Sequence, residues 1–229
     1  MSATVGTAAV ERSLRRRFRV VETRILIGQR ELSILHPASA EDLIDERDFD
    51  RDERLPYWAE LWPSSSALAE RVLAMRGDGR SLLELGCGAG LVATCASLAG
   101  FDVVASDYYE DALRFTRVNA ARHSAPAPRG LLLDWRHLPS NVPRFDVVLA
   151  SDVLYERPYG PLVAQVIAAT LAPGGMATVA DPGRVGRDDF VRSLHALGLE
   201  IVGQSETPFV SGEIRQTITM FEIARSRQD

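Results

Sequence analysis

The sequence of 229 residues contains no lysine, so all 26 of its basic residues are arginine. That absence removes the Tyr-x-x-x-Lys pair of one class of nicotinamide-dinucleotide oxidoreductases, and no G-x-x-x-x-G-K-[ST] loop for a nucleoside triphosphate is present. There is no G-x-S-x-G elbow of a serine hydrolase. Cysteine is scarce: Cys87 and Cys95 are the two in the chain, and eight helical residues would separate them by roughly 12 Å, beyond disulfide reach. Both are read as reduced, in a cytoplasmic setting. The four histidines, His36, His123, His137 and His195, lack metal-ligand spacing and no metal is expected. No apolar run approaches the roughly 18 residues that cross a bilayer, so no membrane span is expected. Positive charge is in deficit as well: the net charge of −5 argues against nucleic acid as a partner.

What is present is ordinary for one folded α/β domain, with 46% hydrophobic and 25% charged residues. Residues 1–18, rich in arginine, are expected to be a disordered basic tail. Residues 19–55 read as a preface packed on the main domain: a hairpin around Gly28 and Gln29, then a densely acidic run from Glu41 to Arg54. From residue 56 to 229 the pattern becomes regular. Pro63 opens a helix. Ser81 to Leu85, Asp102 to Ser106, Leu131 to Leu133, Phe145 to Ser151 and Met176 to Ala180 read as strands with helices between them. Alternation of this kind predicts a doubly wound, mostly parallel sheet with right-handed crossovers. The last two runs, Leu199 to Glu206 and Ile214 to Ile223, alternate like an antiparallel hairpin.

The chemistry is expected at the first strand-to-helix turn, Glu84-Leu85-Gly86-Cys87-Gly88-Ala89-Gly90, because doubly wound folds bind ligands at such turns. Glycines let the backbone turn sharply and let a ligand approach without a Cβ in the way. Asp107 closes the second strand about 20 residues further on, placed for ribose hydroxyls. A dinucleotide loop would follow G-x-G-x-x-G, whereas here Gly90 arrives one position early and Leu91 stands in the expected place.

The stretch from about Pro56 to Glu222 resembles the class I, seven-stranded methyltransferases with a Rossmann-like sheet. It is closest in pattern to the branch that holds protein-lysine methyltransferases and nicotinamide-N-methyltransferase-like proteins. Four segments carry the resemblance: Leu61-Trp62-Pro63, the glycine turn, Leu133-Asp134-Trp135, and Ala150-Ser151-Asp152-Val153-Leu154-Tyr155. The last is the most specific, an acidic residue followed three positions later by an aromatic one.

The resemblance implies S-adenosylmethionine as cofactor and assigns roles. Asp134 and Trp135 would meet the adenine, Asp107 the ribose, and the glycine turn (Gly86, Gly88, Gly90) with Trp62 the methionine end, while Glu84 and Tyr108 are further cofactor-binding residues. Ser151 belongs to the same cofactor set, and Asp152 with Tyr155 would meet the substrate as the catalytic pair. Trp62 fits a core aromatic at a helix entrance equally well, and Tyr155 fits a lid on the sheet edge. The expected activity is N-methylation of a protein lysine side chain. A small amine or natural product is the alternative acceptor, and a non-catalytic adenosylmethionine-binding regulator is the alternative from another class. The sequence leaves the oligomeric state open.

Overall fold

The structure, a computed structural model, describes residues 2–43 and 56–226. It begins with a helix where a disordered tail was expected. Helix α1 spans Ser2–Arg17, and Val10, Leu14 and Phe18, spaced by four, pack with Leu35, Phe115 and Val118. Two of the arginines that suggested a solvated tail are paired instead. Arg15 meets Glu11 and Glu22, each at 2.8 Å, and Arg17 meets Asp111 through two bonds of 2.7 and 2.9 Å. Basic residues in the last turn also suit the negative end of the helix dipole.

Strands β1 (Val20–Ile27) and β2 (Arg30–Pro37) form the expected antiparallel hairpin. Gly28, in its two-residue turn, has a φ of 59°, the left-handed conformation such turns require. The hairpin is pinned by Asn119, which is fully buried. Its Oδ1 accepts the Leu35 N–H at 2.8 Å, and its Nδ2 donates to the carbonyls of Leu35 and Ala89, both at 2.8 Å. From residue 44 to 54 the acidic run lies outside the described residues.

The main unit runs through α2 (Pro63–Leu73), β3 (Ser81–Leu85), α3 (Leu91–Leu98), β4 (Asp102–Asp107), α4 (Glu110–Arg122), β5 (Arg129–Leu132) and β6 (Phe145–Ser151). It continues through α5 (Tyr159–Thr170), β7 (Leu171–Asp181), α6 (Arg187–Ala196), β8 (Leu199–Ser211) and β9 (Ile214–Arg225). The sheet has seven strands in the order β5-β4-β3-β6-β7-β9-β8. All neighbours are parallel except β9, which runs antiparallel to both β7 and β8. This is the doubly wound, mostly parallel Rossmann-like sheet with an antiparallel C-terminal hairpin that the sequence pattern predicts. Strand β8 runs five residues beyond the expected end at Glu206 and includes Pro208, which an edge strand tolerates because one side of its backbone has no partner.

The strands divide the core by parity, as a side-chain period of two dictates. Leu82 faces the layer of α2 and α3, with Leu68, Val92 and Cys95, while Leu83 and Leu85 face the layer of α5 and α6, with Val163, Ile167 and Phe190. The chain steps from β3 outward to β4 and β5 on one side, then returns to β6 and β7 on the other. At that reversal the loops diverge and leave a crevice over the carboxyl ends of β3, β4 and β6. Among the described residues no helix is long and apolar enough to cross a membrane.

Candidate functional site

The crevice is a cleft with about 1020 Å³ of empty space, its open mouth included. Glu84, Gly86, Gly88, Gly90, Asp107, Tyr108, Asp134, Trp135, Ser151, Asp152, Tyr155 and Trp62 all line it. Five separate segments of the sequence thus converge on one space.

The turn after β3 forms one wall. Gly90, at the N-terminal end of α3, has a φ of 83°, and a Cβ there would lie 2.5 to 2.7 Å from Thr116, backbone included. Neither the conformation nor the space admits another residue. Across the strands, the Cys87 N–H donates to the Ser106 carbonyl at 2.9 Å and the Ser106 hydroxyl donates to the Glu84 carbonyl at 2.7 Å. The Thr116 hydroxyl reaches the Gly88 carbonyl at 3.2 Å. The turn is therefore fixed from behind by β4 and α4.

Two buried carboxylates stand on this wall. Asp107 accepts the backbone N–H of Gly88 and of Tyr109, both at 3.0 Å. Burial still pushes its pKa up to about 6, with those two donors pulling the other way. Glu84, 1% exposed, is raised well above the carboxylate range, chiefly by burial and further by the charge of Asp107. Its Oε2 is buried without a protein partner.

The third contribution comes from the segment after β5. Trp135 lies along the glycine turn, its ring 3.7 Å from where a Cβ on Gly86 would be, and its indole Nε1 is buried without a partner. Asp134 lines the cleft, but its carboxylate is already engaged. It accepts from the Arg136 backbone N–H at 3.0 Å, from the Arg136 guanidinium at 2.8 and 3.0 Å, and contacts His137 Nδ1 at 3.2 Å. The guanidinium first, then the backbone donor and His137, hold this carboxyl well below its usual range.

The next part of the lining follows β6, the strand beside β3. Asp152 has a φ of 58°, a left-handed conformation that aspartate tolerates better than most residues, and its N–H donates to the Ala180 carbonyl at 3.0 Å. Its side chain is almost fully buried. Oδ1 accepts the Arg184 Nε at 2.6 Å, and Oδ2 is buried with no partner. Beside it the ring centres of Tyr57 and Tyr159 each lie 4.8 Å from that of Tyr155. Burial, with Tyr159 next, raises the Tyr155 phenol, so it stays protonated at neutral pH. Trp62 is committed as well: its Nε1 donates to the Tyr57 carbonyl at 2.9 Å and its ring faces the Arg184 guanidinium at 5.0 Å.

Sequence reasoning did not single out Tyr57, Tyr159, Asn119, Asp181 or Arg184. A usable signal existed for the last two: Asp181-Pro182-Gly183-Arg184 is a turn sequence directly after a buried strand, on the edge of the sheet where ligands bind.

A family model described as a methyltransferase domain matches residues 57–205. Among curated proteins the chain is similar to the electron transfer flavoprotein beta subunit lysine methyltransferase of Danio rerio, 34% identical over 62% of this chain and 57% of that protein. It is also similar to EEF1A lysine methyltransferase 3 of Mus musculus, 30% identical over 62% of this chain and 63% of that protein. The match thus spans less than two thirds of either relative. Among solved structures, TrmN from Thermus thermophilus superimposes with a TM-score of 0.56 at 23% identity, over 70% of this chain and 48% of that one.

Proposed function

The chain belongs to the methyltransferase-domain family and its cofactor is S-adenosylmethionine, and from that premise we propose that it methylates the ε-amine of a lysine in another protein. The cleft suits that cofactor. Two buried carboxylates and the unpartnered Glu84 Oε2 and Trp135 Nε1 face a space that hydroxyl, ammonium and ring-nitrogen groups of a ligand would complete. Asp107 and Tyr108 would take the ribose end, Trp135 and Asp134 the adenine, and Glu84 with Gly86, Gly88 and Gly90 the methionine end beside Ser151 and Trp62. With Asp134 tied to Arg136, its main service would be to orient Trp135.

When bound, this cofactor supplies a methyl group made electrophilic by the adjacent sulfonium. The protein's task is to hold a nitrogen in line with it, and such positioning contributes on the order of 7 to 11 kcal/mol. The observation that carries the reading is Asp152 Oδ2, a buried acceptor without a partner on a residue that lines the same cleft as the glycine turn. It would accept one N–H of the incoming amine and turn the nitrogen lone pair toward the methyl. The rings of Tyr155 and Tyr57 would flank the aliphatic stem. Transfer of that methyl to the nitrogen would leave the sulfur as a neutral thioether, with Glu84 and the glycine turn holding the methionine end. The amine's surplus proton departs to water by way of Asp152.

The acceptor lies on another molecule, because this sequence has no lysine. The names of the two curated relatives, both lysine methyltransferases of other proteins, favour a lysine over a free small amine. Two buried free cysteines agree with a reducing, cytoplasmic setting. The test is transfer of label from S-adenosylmethionine into a host lysate, separated by size, with the wild type and Asp152→Ala. Label on lysine in a protein band, lost with the variant, is the expected result; label confined to the small-molecule fraction would overturn the lysine reading.

A further inference from the structure

The loop after β7 brings a cation up behind Asp152. Asp181, the last residue of β7, is fully buried, and its carboxylate accepts the N–H of Gly183 at 2.8 Å and of Arg184 at 3.1 Å. The peptide that carries Arg184 is thus fixed to the strand end. From there Nε reaches Asp152 Oδ1 at 2.6 Å while the guanidinium lies 5.0 Å from the centre of the Trp62 ring. Arg184 does not itself line the cleft; it stands behind the wall that Asp152 and Trp62 form. A backbone anchor, an ion pair and an aromatic face hold it, so it supports Asp152 and does not plug the acceptor's place. Oδ1 is engaged, and Oδ2 of this cleft-lining residue is buried without a partner.

A lone buried carboxylate would favour the protonated, unreactive form of an amine beside it. Paired with a guanidinium, the same carboxylate still offers a hydrogen-bond acceptor but no net charge. We propose that Arg184 is a positioning and specificity-determining residue of the acceptor subsite, fixing Asp152 through Oδ1 and cancelling its charge so that Oδ2 receives an uncharged amine in preference to an ammonium. This rests on Asp152 being the acceptor-side group. Among the described residues, Asp181 on β7 and Arg187 at the start of α6 lie near the pair, and Glu60, Glu84, Asp107, Glu156 and Tyr155 line the same cleft as Asp152. Asp181 feels the charge of Asp152, which adds to burial in raising its pKa, and Arg187 acts on it in the opposite sense.

The charge of the pair can be read without any acceptor. S-adenosylmethionine carries a cationic sulfonium where S-adenosylhomocysteine carries a neutral thioether, so the ratio of their dissociation constants, measured by calorimetry, reports the field at that point. Arg184→Gln uncovers the carboxylate and is expected to shift the ratio toward the cation on the order of tenfold. Arg184→Lys, which keeps the charge, stays near the wild type. Asp152→Asn shifts the ratio the other way, and the double variant Asp152→Asn with Arg184→Gln returns it close to the starting value. Thermal unfolding checks that each variant is folded; if Arg184→Gln is not, Asp152→Asn still reports the uncovered guanidinium. A ratio unchanged in Arg184→Gln, or in Asp152→Asn where that variant carries the test, would overturn the proposal. If the wild type labels no protein, the lysine reading falls while the ratios still judge the pair.

Discussion

On the glycine-turn side of the cleft the polar groups are held by backbone: Asp107 by two N–H groups, and the turn by three left-handed glycines and the Ser106 bridge between strands. After β6, by contrast, Asp152 is held through one backbone bond and the side chain of Arg184, which itself rests on Trp62. A wall built from backbone geometry is fixed by the fold and suits a ligand that never changes. A wall built from side chains can be retuned by single substitutions without moving a strand. That contrast is what an enzyme with one donor and a family-specific acceptor needs. Each wall nevertheless leaves buried polar atoms unsatisfied, Glu84 Oε2 and Trp135 Nε1 on one and Asp152 Oδ2 on the other, and buried polar atoms without partners mark places where a ligand completes the bonding.

The largest effect is expected where backbone geometry leaves no latitude. Gly90→Ala puts a Cβ against the Thr116 backbone from a φ of 83° and should cost about 3 kcal/mol or more, seen as a fall in Tm of roughly 6 to 12 °C and loss of cofactor binding by calorimetry. On the other wall Asp152→Asn keeps a residue that accepts the left-handed conformation. It should lower the methyl-transfer rate by on the order of 10²-fold while cofactor affinity moves less than about tenfold. A loss of binding as large as that of Gly90→Ala would break the division between the two walls.

The third expectation concerns pH. Burial raises the pKa of Asp107 to about 6, and an ionised Asp107 is the form that would accept ribose hydroxyls in the proposed assignment. Cofactor affinity should therefore fall as pH drops through 6, to about one tenth at pH 5 of its value at pH 7. Asp107→Asn should flatten the profile, and Glu84→Gln should leave it in place. The stability contribution has the opposite sign. A carboxyl whose folded pKa is raised contributes fully below its unfolded value near 4, and that contribution is lost as pH rises through about 6. The smallest effect belongs to the outer brace of the donor wall. Arg17→Ala removes an exposed pair with Asp111 and should lower Tm by less than about 3 °C, with cofactor affinity changed less than about twofold.

How much of this was legible in the sequence depended on the distance between partners along the chain. The order of strands and helices, the glycine turn, Asp107 and the Asp152-to-Tyr155 spacing are local patterns, and the structure brings their residues to one cleft. Partners far apart in sequence were not legible. Arg184 lies 32 residues from Asp152, Asn119 lies 84 from Leu35, and Arg17 lies 94 from Asp111. The last of these explains the misjudged N-terminus. Arginines counted one by one suggest a solvated tail, whereas arginines matched to Glu11, Glu22 and Asp111 leave a helix with an apolar stripe. Asp134 shows the same limit: its place on the cleft was readable, but its engagement with Arg136 was not, because that depends on how a turn closes.

We propose that one cleft joins a backbone-built donor site to an acceptor site centred on Asp152. A crystal structure of the protein with S-adenosylhomocysteine is the direct test. Ribose hydroxyls on Asp107, adenine against Trp135 and the sulfur turned toward Asp152 Oδ2 are the expected result. A sulfur turned away from Asp152, or a ligand bound clear of the glycine turn, would contradict it.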